Sequence, residues 1–270
     1  MNPEALLRSR PARWAGLVAG VAALALLAFA LREELSRGDV DGATPGALAV
    51  SLAGFLLFHA GAVASLRLLG GSPAPQVWAA AQLAKYLPAP GAALGGMVHS
   101  AVVRGGTARD AVSLTLRHSA VLLAGALLAG APSAGDATAD RWGVPAWLVP
   151  AVMVAGAAAL AVAVKRPWAA LACATAAWAV LGVALWAGVA ARDGDAFTVA
   201  TAFSAAWAVG FVALPVPAGI GVREAVLLVL LEPSLGRPGA LSFAVLTRVL
   251  HIVSDAVVAL VFLVVRRSGA

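Results

Sequence analysis

An apolar run between Leu214 and Glu224 is interrupted by Pro215, Pro217, Gly219 and Gly221, and then at once by Arg223 and Glu224. Each proline removes a backbone donor and collides with the preceding turn, and the glycines loosen the chain, so a helix must break here. In hydrocarbon, freed backbone groups and charges have no water to turn to. Such a break is tolerated only where protein shields it or where it lines a watery cavity. A second stretch of the same kind, Lys85-Tyr86-Leu87-Pro88-Ala89-Pro90-Gly91 followed by Gly95 and Gly96, lies in the first half. Pro88, Gly91, Pro215, Pro217, Gly219 and Gly221 are therefore the expected hinge positions.

Composition settles the solvent. Hydrophobic residues make up 61% of the chain and charged residues 12%, whereas a soluble domain carries roughly a quarter charged residues. The chain reads as an integral membrane protein folded as a single domain over 1–270, with its halves at 1–143 and 144–270. Its many small apolar residues suit close helix packing in lipid, where the hydrophobic effect no longer drives helices together. The net charge of +6 is dispersed over chain ends and short loops. That is a topology signal and not a nucleic-acid footprint, so no nucleic-acid partner is expected. Cys173 is the sole cysteine, which excludes an intrachain disulfide and a thiolate metal cluster. Neither a metal nor a cofactor is expected.

Taken in order, the chain gives a first span at about Trp14–Leu31, longer than a typical signal-peptide core and so read as uncleaved. Further spans follow at about Ala47–Leu69, Ala111–Ala131, Val144–Val164, Trp168–Ala190 and Leu241–Val265, with loops at 132–143 and 232–238. Residues 76–98 are too short and broken to cross and read as a re-entrant hairpin; residues 197–231 hold the second broken segment. Lys and Arg concentrate at the N-terminus, at 104–109, at Lys165-Arg166 and at the C-terminus. Placing these in the cytoplasm puts both chain ends inside. The two broken segments then enter from opposite faces, as in an inverted repeat whose discontinuous helices meet near the midplane. The expected fold is all-α and polytopic, with about six spans and two re-entrant elements.

Ionisable residues at membrane depth are His59, Lys85, His99, Arg117, His118, Arg223, Glu224, Arg248, His251 and Asp255. Arg248, His251 and Asp255 are spaced to share one helix face. Four cations (Lys85, Arg117, Arg223, Arg248) face two acids (Glu224, Asp255), so an anionic headgroup would compensate the remainder. Structural readings compete at each position. Arg223 and Glu224 can pair merely to hold the hairpin, Arg248 and Asp255 can form an ion pair between helices, and Lys85 with Tyr86 can snorkel to the interface. His59 and His118 read as packed, hydrogen-bonded side chains. No HExxH, G-x-S-x-G, Walker or kinase pattern appears, and no enzyme activity is expected.

Gln82-Leu83-Ala84-Lys85-Tyr86-Leu87-Pro88 resembles the GKYLPG region of the lysylphosphatidylglycerol synthase transmembrane (flippase-like) family. Pro217 to Glu224 resembles its PGGlGvrE signature, and Thr247-Arg248-Val249-Leu250 with Asp255 its final helix. This chain has Ala218-Gly219 where the family usually has Gly-Gly, and Arg117-His118 where an acid is common. The resemblance implies movement of an anionic or polyprenyl-linked lipid between leaflets of a bacterial cytoplasmic membrane. Lys85, Arg223 and Arg248 are the expected headgroup contacts, with Glu224 and Asp255 to balance them, and Tyr86 and Arg117 complete the expected substrate-binding set. The length leaves no room for the family's aminoacyltransferase domain, so aminoacyl transfer is not expected. The other reading is an accessory subunit or scaffold for a separately encoded synthase or glycosyltransferase. Such a synthase and a second copy of the chain are the protein partners left open.

Overall fold

A computed structural model describes residues 44–70, 74–85, 92–103, 105–164, 167–188, 195–212 and 221–268. Among these the chain is helical throughout, with no strand. The helices are α1 (Pro45–Leu68), α2 (Ala74–Ala84), α3 (Ala92–Val103), α4 (Ala108–Gly130), α5 (Gly135–Trp142), α6 (Leu148–Ala163), α7 (Trp168–Gly188), α8 (Ala196–Val212) and α9 (Val222–Ser268). A 3-10 turn, Ala131–Ala134, joins α4 to α5.

Local chemistry sets several of these boundaries. Thr44 caps α1, its Oγ1 accepting from the Ala47 N–H at 3.2 Å, and Pro45 occupies the first turn, where its missing donor costs nothing. Thr107 caps α4 in the same way, accepting from the Asp110 N–H at 3.1 Å. Four stretches are long and apolar enough to cross a membrane: Pro45–Leu68, Ala108–Ala134, Trp168–Gly188 and Val222–Val261. The last of them is not one straight rod. Gly236 sits at φ 66 and ψ 165. Across it Glu224 meets Arg248 at 3.5 Å and Arg223 meets His251 at 3.0 Å. Residues that far apart in a straight helix would be separated by about 36 Å or more at 1.5 Å per residue. Each pair is centred on Gly236 or its neighbour, so α9 folds into two antiparallel arms. The first arm, 222–235, is about 21 Å long, less than the roughly 30 Å of a hydrocarbon core.

α2 and α3 are shorter still, with 11 and 12 residues. The Ser100 hydroxyl, late in α3, donates to the Gln76 carbonyl, early in α2, at 3.3 Å, so the two run antiparallel as a hairpin. Residues 76–98 thus hold parts of two short antiparallel helices, neither long enough to cross a hydrocarbon core of about 30 Å. Elsewhere the elements differ from expectation. The expected loop at 132–143 is a 3-10 turn followed by α5. The expected loop at 232–238 is helix on both sides of a reversal at Gly236, because one residue at positive φ suffices to turn the chain. α6 has only 16 residues, about 24 Å, where a full span was expected. The first expected span, about Trp14–Leu31, lies outside the described residues.

The longest interface joins α1 to α7, and it depends on missing side chains. A Cβ on Gly54 would meet the Ala184 methyl, and one on Gly61 would meet the Ala177 methyl. In lipid such close approach supplies the dispersion contact that holds helices together. Trp178 on α7 is fully buried, donating from its indole N–H to the Leu122 carbonyl of α4 at 3.0 Å. Phe58, Phe203 and Trp207 pack around it. Facing outward are Leu57, Val152, Val162, Val183, Val209 and Leu260, an apolar exterior suited to acyl chains.

A buried charged cluster between the half-length helices

The site grows from the ends of two short helices. Lys85 follows directly on α2, its N–H bonded to the Ala81 carbonyl at 3.0 Å, so it sits where the first break begins. Arg223 and Glu224 lie in the first turn of α9, where the second break ends. Gly221 stands at φ 84 and donates its N–H to Glu224 Oε2 at 2.7 Å, half of a capping box that fixes the acid against the helix start. The second arm of α9 supplies Arg248, His251, Ser254 and Asp255, and α1 supplies His59.

These side chains form one connected network. Lys85 Nζ lies 2.8 Å from Asp255 Oδ2 and 2.9 Å from Gln82 Oε1. It also lies 3.1 Å from His251 Nε2. Arg223 Nη1 is 3.0 Å from His251 Nδ1, and Arg223 Nη2 is 3.5 Å from Glu224 Oε1. Arg248 reaches the same Glu224 oxygen at 3.5 Å. His59 Nε2 is 3.2 Å from Ser254 Oγ and 3.4 Å from Asp255 Oδ1. Aromatic rings enclose the cluster: Phe55 stacks on His251 with centroids 5.1 Å apart, and the Arg223 guanidinium lies 5.2 Å over the Phe203 ring.

The protonation pattern of both imidazoles follows from their neighbours. The Trp78 indole can only donate, and it donates to His59 Nδ1 at 3.0 Å. His59 therefore carries its proton on Nε2, facing Ser254 and Asp255. A guanidinium likewise has no acceptor, so His251 Nδ1 accepts from Arg223 and its proton also sits on Nε2. Both Nε2–H groups converge on Asp255 and Lys85. Burial is graded across the cluster: Asp255 is 1% exposed at its side chain, Arg248 12%, Lys85 18% and Glu224 26%. The network is sealed at Asp255 and most exposed at Glu224 and Lys85.

Of the residues singled out in the sequence, Lys85, Arg223, Glu224, Arg248 and Asp255 are brought together. Arg248 pairs with Glu224 and Asp255 with Lys85, so the ion pair anticipated between Arg248 and Asp255 takes other partners. Arg117 is half-buried on α4, one position before His118. His118 Nε2 lies 3.0 Å from the Ala62 carbonyl, which fastens α4 to α1. Tyr86, Pro88, Gly91, Pro215, Pro217 and Gly219 lie outside the described residues. His59 is buried and hydrogen-bonded as expected, but its partners make it part of the cluster. Gln82 and His251 also belong to the site without having been assigned to it. Helical spacing carried that signal, since Gln82 stands one turn before Lys85 and His251 one turn before Asp255. Among the described residues no group of three His, Cys, Asp or Glu side chains is placed to hold a metal ion.

No protein-family model matches this chain, and comparison with curated proteins finds no match.

Proposed function

We propose that this protein is a flippase-like lipid transporter, moving an anionic or polyprenyl-linked lipid between leaflets. In this reading the two broken elements form an inverted pair, and the headgroup crosses between them while the acyl chains stay in lipid. One observation carries it. Among the described residues, three basic side chains (Lys85, Arg223 and Arg248) and two carboxylates (Glu224 and Asp255) share one network at the ends of half-length helices. Buried charges are costly and persist mainly where function requires them. A phosphate or phosphodiester is the chemistry that two guanidiniums and an ammonium recognise. The more exposed Glu224 and Lys85 mark the side from which a headgroup would enter. The sequence resemblance to the lysylphosphatidylglycerol synthase transmembrane family points the same way.

The test is a leaflet-resolved assay with fluorescent phosphatidylglycerol in vesicles containing the purified protein. Wild type should accelerate exchange over empty vesicles. Arg223→Ala/Arg248→Ala should lower the rate tenfold or more, the loss expected from about 1.5–3 kcal/mol of charge-assisted hydrogen bonding. Arg248→Lys, which keeps the charge, should retain part of the rate if the loss is electrostatic and not misfolding. Equal rates for wild type and the double variant would rule out this mechanism. No acceleration by the wild type, together with co-purification of a synthase, would favour the accessory role.

A further inference from the structure

The contact between Lys85 and His251 contains one proton too many. His251 Nδ1 accepts from Arg223, so its single proton points from Nε2 toward Lys85 Nζ at 3.1 Å. An ammonium has three protons and no lone pair, and would set N–H against N–H across that distance. The other tautomer fails equally, since it aims Nδ1–H at the guanidinium. A neutral amine removes that clash: its lone pair accepts from His251 Nε2–H, while its hydrogens face Asp255 Oδ2 at 2.8 Å and Gln82 Oε1 at 2.9 Å.

We infer that Lys85, His251 and Asp255 form a proton-binding site, and that the proton taken up on Lys85 creates the positive charge that attracts an anionic headgroup. The step is a proton transfer alone. The Nζ lone pair forms a bond to a proton delivered by hydronium, whose O–H bond breaks to leave water; the His251 Nε2–H···Nζ hydrogen bond is lost, and Nε2–H turns toward Asp255 Oδ1, now 3.8 Å away. The ionisable groups facing the site are His59 from α1, Lys85 after α2, and Arg223, Glu224, Arg248 and Asp255 from α9. α8 contributes the Phe203 ring. Binding of proton and anion then reinforce each other, because linkage is reciprocal. The link to a lipid headgroup rests on the transport reading above; the proton site stands on the geometry alone.

Lys85 and Lys165 are the only lysines in the chain, which makes the test direct. Protein carrying 15N at the lysine side chains is placed in phosphatidylcholine vesicles and followed by solid-state NMR from about pH 9 to about pH 5, a range in which an ordinary lysine stays an ammonium. Lys165 should remain an ammonium throughout. Lys85 should appear as an amine at the alkaline end and take up one proton on acidification. Replacing a third of the lipid by phosphatidylglycerol should move that transition to higher pH. An ammonium at Lys85 over the whole range overturns the proton site, and a transition indifferent to phosphatidylglycerol overturns the coupling. Titration as expected with no lipid movement in the leaflet assay upholds the site and sinks only the transport reading. Lys85→Arg, with a permanent charge, should make any lipid movement insensitive to pH over this range.

Discussion

Removing the Asp255 carboxylate should cost more than removing the Lys85 amine, although the two are direct partners. In the Asp255→Ala variant the described part of the cluster keeps two guanidiniums against one carboxylate, Glu224, and the groups that face Asp255 lose their acceptor. Breaking a buried charge pair in this way typically costs about 3–5 kcal/mol. The lower end applies, because Lys85 and Arg248 are partly exposed and can lean toward water, whereas Arg223 at 3% exposure cannot. About 3 kcal/mol is therefore expected. The Lys85→Met variant keeps the stem volume and, if Lys85 is an amine, loses only neutral-donor hydrogen bonds worth about 1–1.5 kcal/mol. The Lys85→Met/Asp255→Leu double variant should then stay near the cost of the aspartate change, since the same guanidinium charge remains exposed to it. Reversible unfolding in mixed micelles, followed by tryptophan fluorescence, measures all three. Equal single costs with recovery in the double variant would show an ordinary ion pair and refute the amine. An Asp255→Ala cost within about 0.5 kcal/mol of zero would refute the buried network itself.

Gly61→Ala should destabilise by about 1–3 kcal/mol, because the new methyl meets the Ala177 methyl of α7; Ala177→Gly in the same chain should recover most of that, and two additive costs in the double-mutant cycle would show that the interface is not as close as described. Asp195 stands before α8 and accepts hydrogen bonds from Thr198, including its N–H at 2.8 Å, which hold the carboxyl below the usual carboxylate value. A depressed folded value stabilises above the unfolded value, about 3.9, and is lost as pH falls through the lower folded one. The protection factor of the Thr198 amide should therefore fall below about pH 4 in wild type, and Asp195→Ala should remove that dependence.

The outline of the site was legible because lipid makes it so. A proline, glycine or charge inside an apolar run stands out when the surroundings allow no neutral explanation, and this singled out Lys85, Arg223, Glu224, Arg248 and Asp255. The pairing was not legible. Which carboxylate Lys85 meets depends on Gly236 folding α9 back on itself, and a single glycine between two prolines reads equally as a loop. His59 and Gln82 escaped for a different reason. A buried histidine in a small-residue helix is usually a packing element, and only the approach of α2 and α9 to α1 shows that it aims at Asp255. The extent of the spans was misjudged at α6 because apolar composition reports solvent and not length, so the turn at Pro145–Trp147 passed as helix.

Both histidines have Nδ1 committed to a donor that cannot give it up, the Trp78 indole in one case and the Arg223 guanidinium in the other. A second proton on either ring would have to break that bond first. This moves the burden of any charge change at the centre of the cluster onto Lys85 and Asp255, which are joined at 2.8 Å. Their exposures differ in a way that orders them: Asp255 is sealed at 1%, whereas Lys85 is 18% exposed. A proton arriving from outside the cluster meets Lys85 before it meets the carboxylate. The rings of Phe55 and Phe203 pack against His251 and Arg223. The histidines are thus the fixed part of the cluster. They aim two N–H groups at the centre, keep Asp255 ionised beside them, and leave the lysine as the member whose charge can change with what enters.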